Sequence, residues 1–274
     1  MSLLAMPTTV SQLYIYPVKG LQAIAVPSAH CTERGFEHDR RFMVVDAAGR
    51  FMSQREHPLM ATVWTDIADG MLVLSAPDLT QVEVPLEPQG EASLRVTVWR
   101  STVDAVAASR AADAWLSDYL GAPCRLVYMP ESTRRECNPD FAPGSIVSFA
   151  DGYPYLVTNE ASLADLNARI AAKGGAPVPM NRFRPNIVVA GAEAYAEDHW
   201  PELQLGSAVL RSAKPCGRCE VTTTDQATGE RLGPEPLATL VEYRDGRDFG
   251  LMFGQNYATE RTGTVRVGDT VAVG

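Results

Sequence analysis

The sequence predicts a mainly β chain with a few helices (α+β), divided into two domains. Three observations carry this. Short strand signals separated by Gly, Pro and Asp crowd the first third, the spacing of an antiparallel, barrel-like sheet. Strand signals outnumber helical ones in both halves and never alternate regularly with them, which argues against a doubly wound parallel sheet. At 274 residues the chain is long for one domain. Met129–Ser145, with three prolines, a glycine and mixed charges, reads as a linker between residues 7–128 and 129–274.

Taken in order, Leu13–Tyr16 alternates and stops at Pro17. Arg41–Val45 and Phe51–Gln54 read as a hairpin whose loop takes its positive φ from Gly49. Met71–Ser75, Gln81–Leu86 and Leu94–Trp99 are further strands. Ala112, Leu116 and Leu120, with Ala111, Trp115 and Tyr119, recur every four residues and predict a helix over Ser109–Leu120 that stops at Gly121. Leu163, Leu166 and Ile170 predict a second over Glu160–Ala172, capped by Asn159 and ended by Gly174-Gly175. Asn186–Ala190 is a short buried strand, and Leu237, Leu240 and Val241 share one side of a short helix after Pro236. The alternation of Val265, Val267, Val271 and Val273 around Gly268-Asp269 predicts a closing hairpin over Gly263–Val273.

Hydrophobic residues at 46% and charged ones at 21% are an ordinary globular balance. The net charge of −9 repels nucleic acid and anionic membrane, so neither is an expected partner. No apolar run approaches the roughly 18–20 residues of a membrane span. Met1–Met6 lacks the basic start and apolar segment of a signal peptide. Five cysteines, spread apart except for one Cys-x-x-Cys, argue against a disulfide framework and for a reducing cytoplasm.

That Cys-x-x-Cys, Cys216-Gly217-Arg218-Cys219, is the most pointed local feature. Such a pair suits half a zinc site, a redox pair, a soft-metal ligand with a bystander, or two ordinary buried thiols. Cys31, Cys124 and Cys137 form no second pair and the four histidines show no metal-ligand spacing. The Val221-Thr222-Thr223-Thr224 run predicts a strand after the pair, not the helix of a thioredoxin-like site. Lys214 and Arg218 beside the thiols favour the thiolate form, which suits a metal ligand or nucleophile. Arg182 and Arg184, if extended, share one side ahead of a buried strand and suit a phosphate or planar anion, unless they lie on a solvated edge. Tyr16-Pro17-Val18-Lys19-Gly20 and Asp39-Arg40-Arg41-Phe42 are each weak signals alone.

Taken in order, Tyr16-Pro17-Val18-Lys19-Gly20, Asp39-Arg40-Arg41-Phe42, Asn181-Arg182-Phe183-Arg184-Pro185-Asn186, Cys216-Gly217-Arg218-Cys219 with Thr222–Asp225, and Phe253-Gly254-Gln255 resemble the MOSC family. That family is named for molybdenum cofactor sulfurase C-terminal domains. The similarity is strongest to the mitochondrial amidoxime-reducing components and bacterial reductases of N-hydroxylated bases, and it covers nearly the whole chain. It implies two β-barrel-like domains, a MOSC N-terminal domain and the MOSC domain proper. It also implies a molybdenum cofactor (molybdenum bound by molybdopterin), with Cys219 as the metal ligand and Cys216 as its neighbour. Lys19, Arg41, Arg182 and Arg184 would meet the pterin ring or its phosphate, which carries about −1.5 to −2 charge. Gly20, Asn186 and Asn256 fall within the same motifs as cofactor contacts, Gly20 where some relatives carry serine and Asn256 where they carry tyrosine. Asp151 matches an acidic residue near the metal and is the candidate for assisting proton delivery.

The activity so implied is molybdenum-dependent reduction of hydroxylamines, amidoximes and N-hydroxy bases. No cysteine follows Cys219, and a two-iron cluster needs four ligands, so the electron donor is expected to be a separate protein. The alternative is a protein that binds the cofactor or carries sulfur without reductase turnover. The pyridoxal-phosphate desulfurase domain found in cofactor sulfurases has no room in this chain.

Overall fold

A computed structural model describes residues 7–89 and 93–274. Met1–Met6, read above for targeting signals, lie outside the described residues. Strands dominate, as expected, and they curl into two sheet-lined bodies.

The larger sheet has eight strands in the order Val271–Val273, Glu202–Leu205, Ala208–Arg218, Leu251–Arg261, Tyr155–Asn159, Ile187–Ala190, Thr9–Ile15 and Ile24–Ala25. Tyr155–Asn159 and Ile187–Ala190 run parallel, joined by the helix Glu160–Ala172 as the crossover such a pair requires. The sheet curls until Thr9 meets Thr270, and backbone bonds from Val10 N to Asp269 O (2.9 Å) and Val271 N to Thr8 O (2.8 Å) close it. Its interior is filled by Leu13, Val157, Ile187, Leu203, Leu210, Tyr257 and Val265, all at most 1% exposed. The strand Thr9–Ile15, close to the N-terminus, therefore belongs to the sheet built by the second half of the chain.

The first half contributes a five-stranded sheet in the order Ser93–Val98, Ser101–Ala107, Arg125–Tyr128, Phe42–Val45 and Val18–Lys19. Trp64–Ala68, Met71–Ser75 and Val82–Pro85 form a three-stranded meander beside it. The predicted helix forms at Arg110–Leu120, with Ser109 Oγ accepting from Ala112 N and Gly121 ending it at φ +64. Its Ala112, Leu116 and Leu120 bury against Leu72, Leu74 and Val84, and each such leucine stabilises by about 1.5–3 kcal/mol relative to exposure. No helix among the described residues is long and apolar enough to cross a membrane.

Three local expectations are corrected. Gly263–Arg266 and Val271–Val273 do not pair as a hairpin: the first pairs with Ser28–Thr32 and the second with Glu202–Leu205. Val265 and Val271 both face the same core, so their alternation reports the buried face, not the partner. The proposed strand Phe51–Gln54 shrinks to a single bridge between Phe51 and Val45. The Val–Thr run after Cys219 is a 3-10 turn over Glu220–Thr223. There the Thr222 and Thr223 hydroxyls donate to the carbonyls of Cys219 and Glu220 at 2.9 and 2.7 Å, a local bond that competes with strand pairing.

Met129–Ser145 is free of helix and regular strand, as expected, yet it is packed. Arg135, 5% exposed, donates to the carbonyl oxygens of Ser148, Ala150 and Asp151 and so fixes the loop that carries Asp151.

Candidate active site

A cleft of about 950 Å³, counted out to its open mouth, lies where these elements converge. Lys19 ends a short strand that pairs with Phe42–Val45. Asp151 sits on the loop before Tyr155–Asn159, and Arg184 and Asn186 lead into Ile187–Ala190. Cys216 and Arg218 end the long strand Ala208–Arg218, whose Lys214 is in register with Asn256. The cleft thus brings together Lys19, Gly20, Asp151, Arg184, Asn186, Cys216, Cys219 and Asn256 from positions more than two hundred residues apart.

Two predicted cofactor residues are elsewhere. Arg41 faces the opposite side, where its guanidinium donates to Met129 O, Tyr128 Oη and Glu131. Its neighbour Arg40 lines the cleft instead. Arg182 is 5% exposed and clamps the Cys219–Asp225 segment from behind through Thr223 O (2.9 Å) and Asp225 Oδ2 (3.2 Å). The reason in both cases is backbone hand. Arg40 and Arg184 take φ +48 and +54, and Met180–Phe183 is a 3-10 turn, so the alternation of an extended chain does not apply.

Arg55, Phe51 and Trp99 shape the cleft without having been singled out, and so do Arg40 and Phe183, which the motifs contain but to which they assign no role. Each thiol has its own guanidinium. Arg55 Nη2 donates to Cys219 Sγ at 3.1 Å, and Arg218 Nη1 donates to Cys216 Sγ at 2.9 Å while its Nη2 holds Phe183 O at 2.7 Å. Lys214, expected beside the thiols, lies over the rings of Phe141 and Phe249.

Behind the cleft Tyr16 is flanked by Arg40 and Arg184, whose guanidinium carbons lie 4.0 and 4.4 Å from its ring centroid. Asp39 anchors this stack. It is 1% exposed and accepts from Tyr16 N (2.8 Å), Arg40 Nη1 (2.7 Å) and Asn186 Nδ2 (3.2 Å). Asn186 is therefore a bracket: its Oδ1 accepts from Arg40 Nη1 and its Nδ2 also reaches Tyr14 O. Burial pushes the Tyr16 hydroxyl up to about 12 against the pull of the two arginines. Burial also lowers Arg184 to about 10, which leaves it cationic at neutral pH.

Five cations line the cleft, Lys19, Arg40, Arg55, Arg184 and Arg218, against the single carboxylate of Asp151. Arg40 is neutralised by Asp39 and Lys19 by Asp151, with Arg55 near Glu220 at 4.0 Å. Among the described residues, Arg184 and Arg218 have no carboxylate within ion-pair distance; their hydrogen bonds go to neutral oxygens and the Cys216 sulfur, which leaves their charge without a counter-charge. Leaving cations half-buried without a counter-charge is costly, so the arrangement fits an incoming anion.

Asp151 is open to the cleft, with 75% of its side chain exposed, although protein surrounds it. Those surroundings work to raise its carboxyl, but the Lys19 ammonium and the Trp99 Nε1–H (3.0 Å) outweigh them and hold it well below the ordinary range. Lys19 is lowered by burial, and Asp151 opposes that shift. Asp151→Asn removes the opposing charge, so Lys19 should titrate at still lower pH. The pH at half-modification of Lys19 by acetic anhydride, read by mass spectrometry, checks this; an unmoved midpoint would count against the pair.

Two glycines of the motifs have structural reasons. Gly20 takes φ +86, and a Cβ there would meet Met60 Cε at 2.8 Å. A Cβ on Gly217 would collide with the Phe249 carbonyl oxygen, which is backbone and cannot swing away. Gly217→Ala should therefore cost about 1–3 kcal/mol, seen as a lower urea midpoint, and an unchanged midpoint would refute the packing argument.

Comparison with known proteins gives a concordant match at family level. The MOSC N-terminal beta barrel domain matches residues 7–123 and the MOSC domain matches residues 145–272. The chain is 34% identical over 281 residues to mitochondrial amidoxime-reducing component 1 of Homo sapiens, covering 96% of this chain and 82% of that protein. It is 35% identical over 280 residues to the Mus musculus protein of the same name, covering 96% and 81%. To mitochondrial amidoxime reducing component 2 of Macaca fascicularis it is 34% identical over 280 residues, covering 96% and 82%.

Proposed function

Because the chain belongs to the MOSC family, with the N-terminal barrel and the MOSC domain in one polypeptide, we propose that it is a molybdenum-cofactor-dependent reductase of N-hydroxylated compounds. One observation carries the reading: a chain of net charge −9 gathers five cations and an accessible cysteine around one cleft.

The residues present fit a molybdenum pterin. Arg184 and Arg218, the cations without carboxylate partners among the described residues, suit its phosphate and the polar edges of its ring. Cys219 offers the soft sulfur that a thiophilic metal selects. Among the described residues no three His, Cys, Asp or Glu side chains converge on one point, so the remaining ligands must come with the cofactor. When bound, the cofactor supplies the two-electron redox centre.

The other roles belong to the chain. Arg55 orients Cys219 through the 3.1 Å bond to its sulfur. The overall conversion takes R–NH–OH, two electrons and two protons to R–NH2 and water, breaking the N–O bond. Asp151 is ionised at neutral pH and has no proton to give; it keeps Lys19 protonated at the cleft wall. Of the pair, Lys19 Nζ is the group with a proton to deliver into the cleft, and Asp151 holds it in place through their ion pair. The electrons are delivered by a separate donor protein, and the reaction takes place in the cytoplasm.

The test is reduction of benzamidoxime by cofactor-loaded protein with reduced methyl viologen as donor. One benzamidine per two electrons is expected. Loaded protein that binds benzamidoxime without forming benzamidine would overturn the reductase assignment in favour of a cofactor or sulfur carrier.

A further inference from the structure

The hairpin of Ser93–Val98 and Ser101–Ala107 turns on two residues only, Trp99 and Arg100, with Val98 opposite Ser101. Glycine or asparagine normally occupies a left-handed position in so tight a turn. Here the position is held by Trp99 at φ +54. A bulky residue there is strained, and such strain persists only where the surroundings over-determine it, which is common at ligand sites.

Trp99 is held from three sides. Its Nε1 donates to Asp151 Oδ1 at 3.0 Å, the Arg55 guanidinium lies 4.7 Å from its ring centroid, and the Phe51 ring centroid is 4.8 Å away. Arg55 is the residue that donates to Cys219 Sγ. Despite these restraints Trp99 remains 41% exposed and lines the cleft together with Phe51. Packing against Phe51 and Arg55 accounts for the covered part of the indole, but not for the part left open to the cleft at a strained hairpin tip. An aromatic surface fixed in place and left open to a cleft is suited to stacking.

We propose that Trp99 is a specificity-determining residue, whose indole forms with Phe51 a stacking platform for the flat part of the substrate. It favours planar aryl or heterocyclic N-hydroxy compounds over compact aliphatic hydroxylamines. This rests on the reading of the cleft as the reductase site. A purely structural role is the competing explanation, in which the Nε1–H bond to Asp151 latches the hairpin to the second half of the chain.

Phenylalanine keeps a stacking face but loses the N–H, so it separates the two. In the cofactor-loaded protein, Trp99→Ala should lower the preference for benzamidoxime over N-methylhydroxylamine, as a ratio of kcat/KM, by about tenfold or more. The change should fall on KM, and Trp99→Phe should keep most of the preference. Equal losses on both substrates, or Trp99→Phe behaving as Trp99→Ala, would overturn the proposal. A second arm needs no turnover. Benzamidine, which lacks the N–O bond, should quench the fluorescence of the wild type. Trp99→Phe, which retains Trp64, Trp115 and Trp200, should not respond. Absence of quenching in the wild type sinks the platform. Quenching in a loaded protein that reduces no benzamidoxime sinks the reductase reading and leaves the platform standing.

Discussion

Cys219→Ser should abolish reduction of benzamidoxime, a loss well beyond the roughly 10–100-fold that follows removal of a mere outer-shell partner. Serine is nearly isosteric, so the fold should survive, with an unchanged circular dichroism spectrum. What changes is the donor: a hard hydroxyl that is neutral at working pH replaces a soft, ionisable sulfur. Geometry alone treats the two cleft cysteines almost alike, since each accepts one hydrogen bond from an arginine. They differ in backbone setting. Cys216 lies within the strand Ala208–Arg218, whereas Cys219 sits at the start of the Glu220–Thr223 turn. The family motif selects Cys219, so Cys216→Ser should lose less than about tenfold, the lower end of that outer-shell range. Steady-state rates of the two variants decide the assignment, and the reverse order of losses would move the ligand to Cys216.

The largest expected loss of stability comes from Asp39→Ala, about 3–5 kcal/mol. Its carboxylate is fully buried and is shared by Tyr16 N, Arg40 and Asn186. Removing it leaves Arg40 as an unneutralised cation against the Tyr16 ring, together with unpaired donors on Asn186 and Tyr16. The damage should reach the site, because Arg40 Nη2 also holds the carbonyl of Arg184. Urea unfolding of the wild type, Asp39→Asn and Asp39→Ala measures it. Asparagine, which keeps one acceptor oxygen, should fall between the other two; an Asp39→Ala protein as stable as the wild type would show that the network contributes little.

Features written in local chemistry were legible in the sequence. The helices at Arg110–Leu120 and Glu160–Ala172 formed where periodicity, the Gly121 stop and the Asn159 cap placed them, because these signals act on backbone within a few residues. Strand partners were not legible. Alternation identifies a buried face, but the pairing of Thr9–Ile15 with Ile187–Ala190, more than 150 residues away, and of Val271–Val273 with Glu202–Leu205 is settled by the closure of the whole sheet. Much of the cleft followed from motifs, including Lys19, Asp151, Arg184 and Cys219. The exchange of Arg41 for Arg40 and the retreat of Arg182 came from left-handed and 3-10 backbone that no alternation rule anticipates. Arg55 carried no signal, being 164 positions from the sulfur it contacts. Trp99 ends the strand Leu94–Trp99 that the sequence predicts, whereas in the structure it turns the hairpin at φ +54, where turn chemistry favours glycine or asparagine.

The central claim is that the cationic cleft holds a molybdenum pterin through Cys219. Its most direct test is the molybdenum and pterin content of protein purified from a cofactor-competent host, by mass spectrometry of the metal and fluorescence of the oxidised pterin. The account predicts about one of each per wild-type chain, in keeping with a single cofactor acting as the redox centre. Cys219→Ser should show a large loss of molybdenum while Cys216→Ser retains it. A wild-type protein carrying neither metal nor pterin, or a Cys219→Ser protein with its full complement of molybdenum, would contradict it.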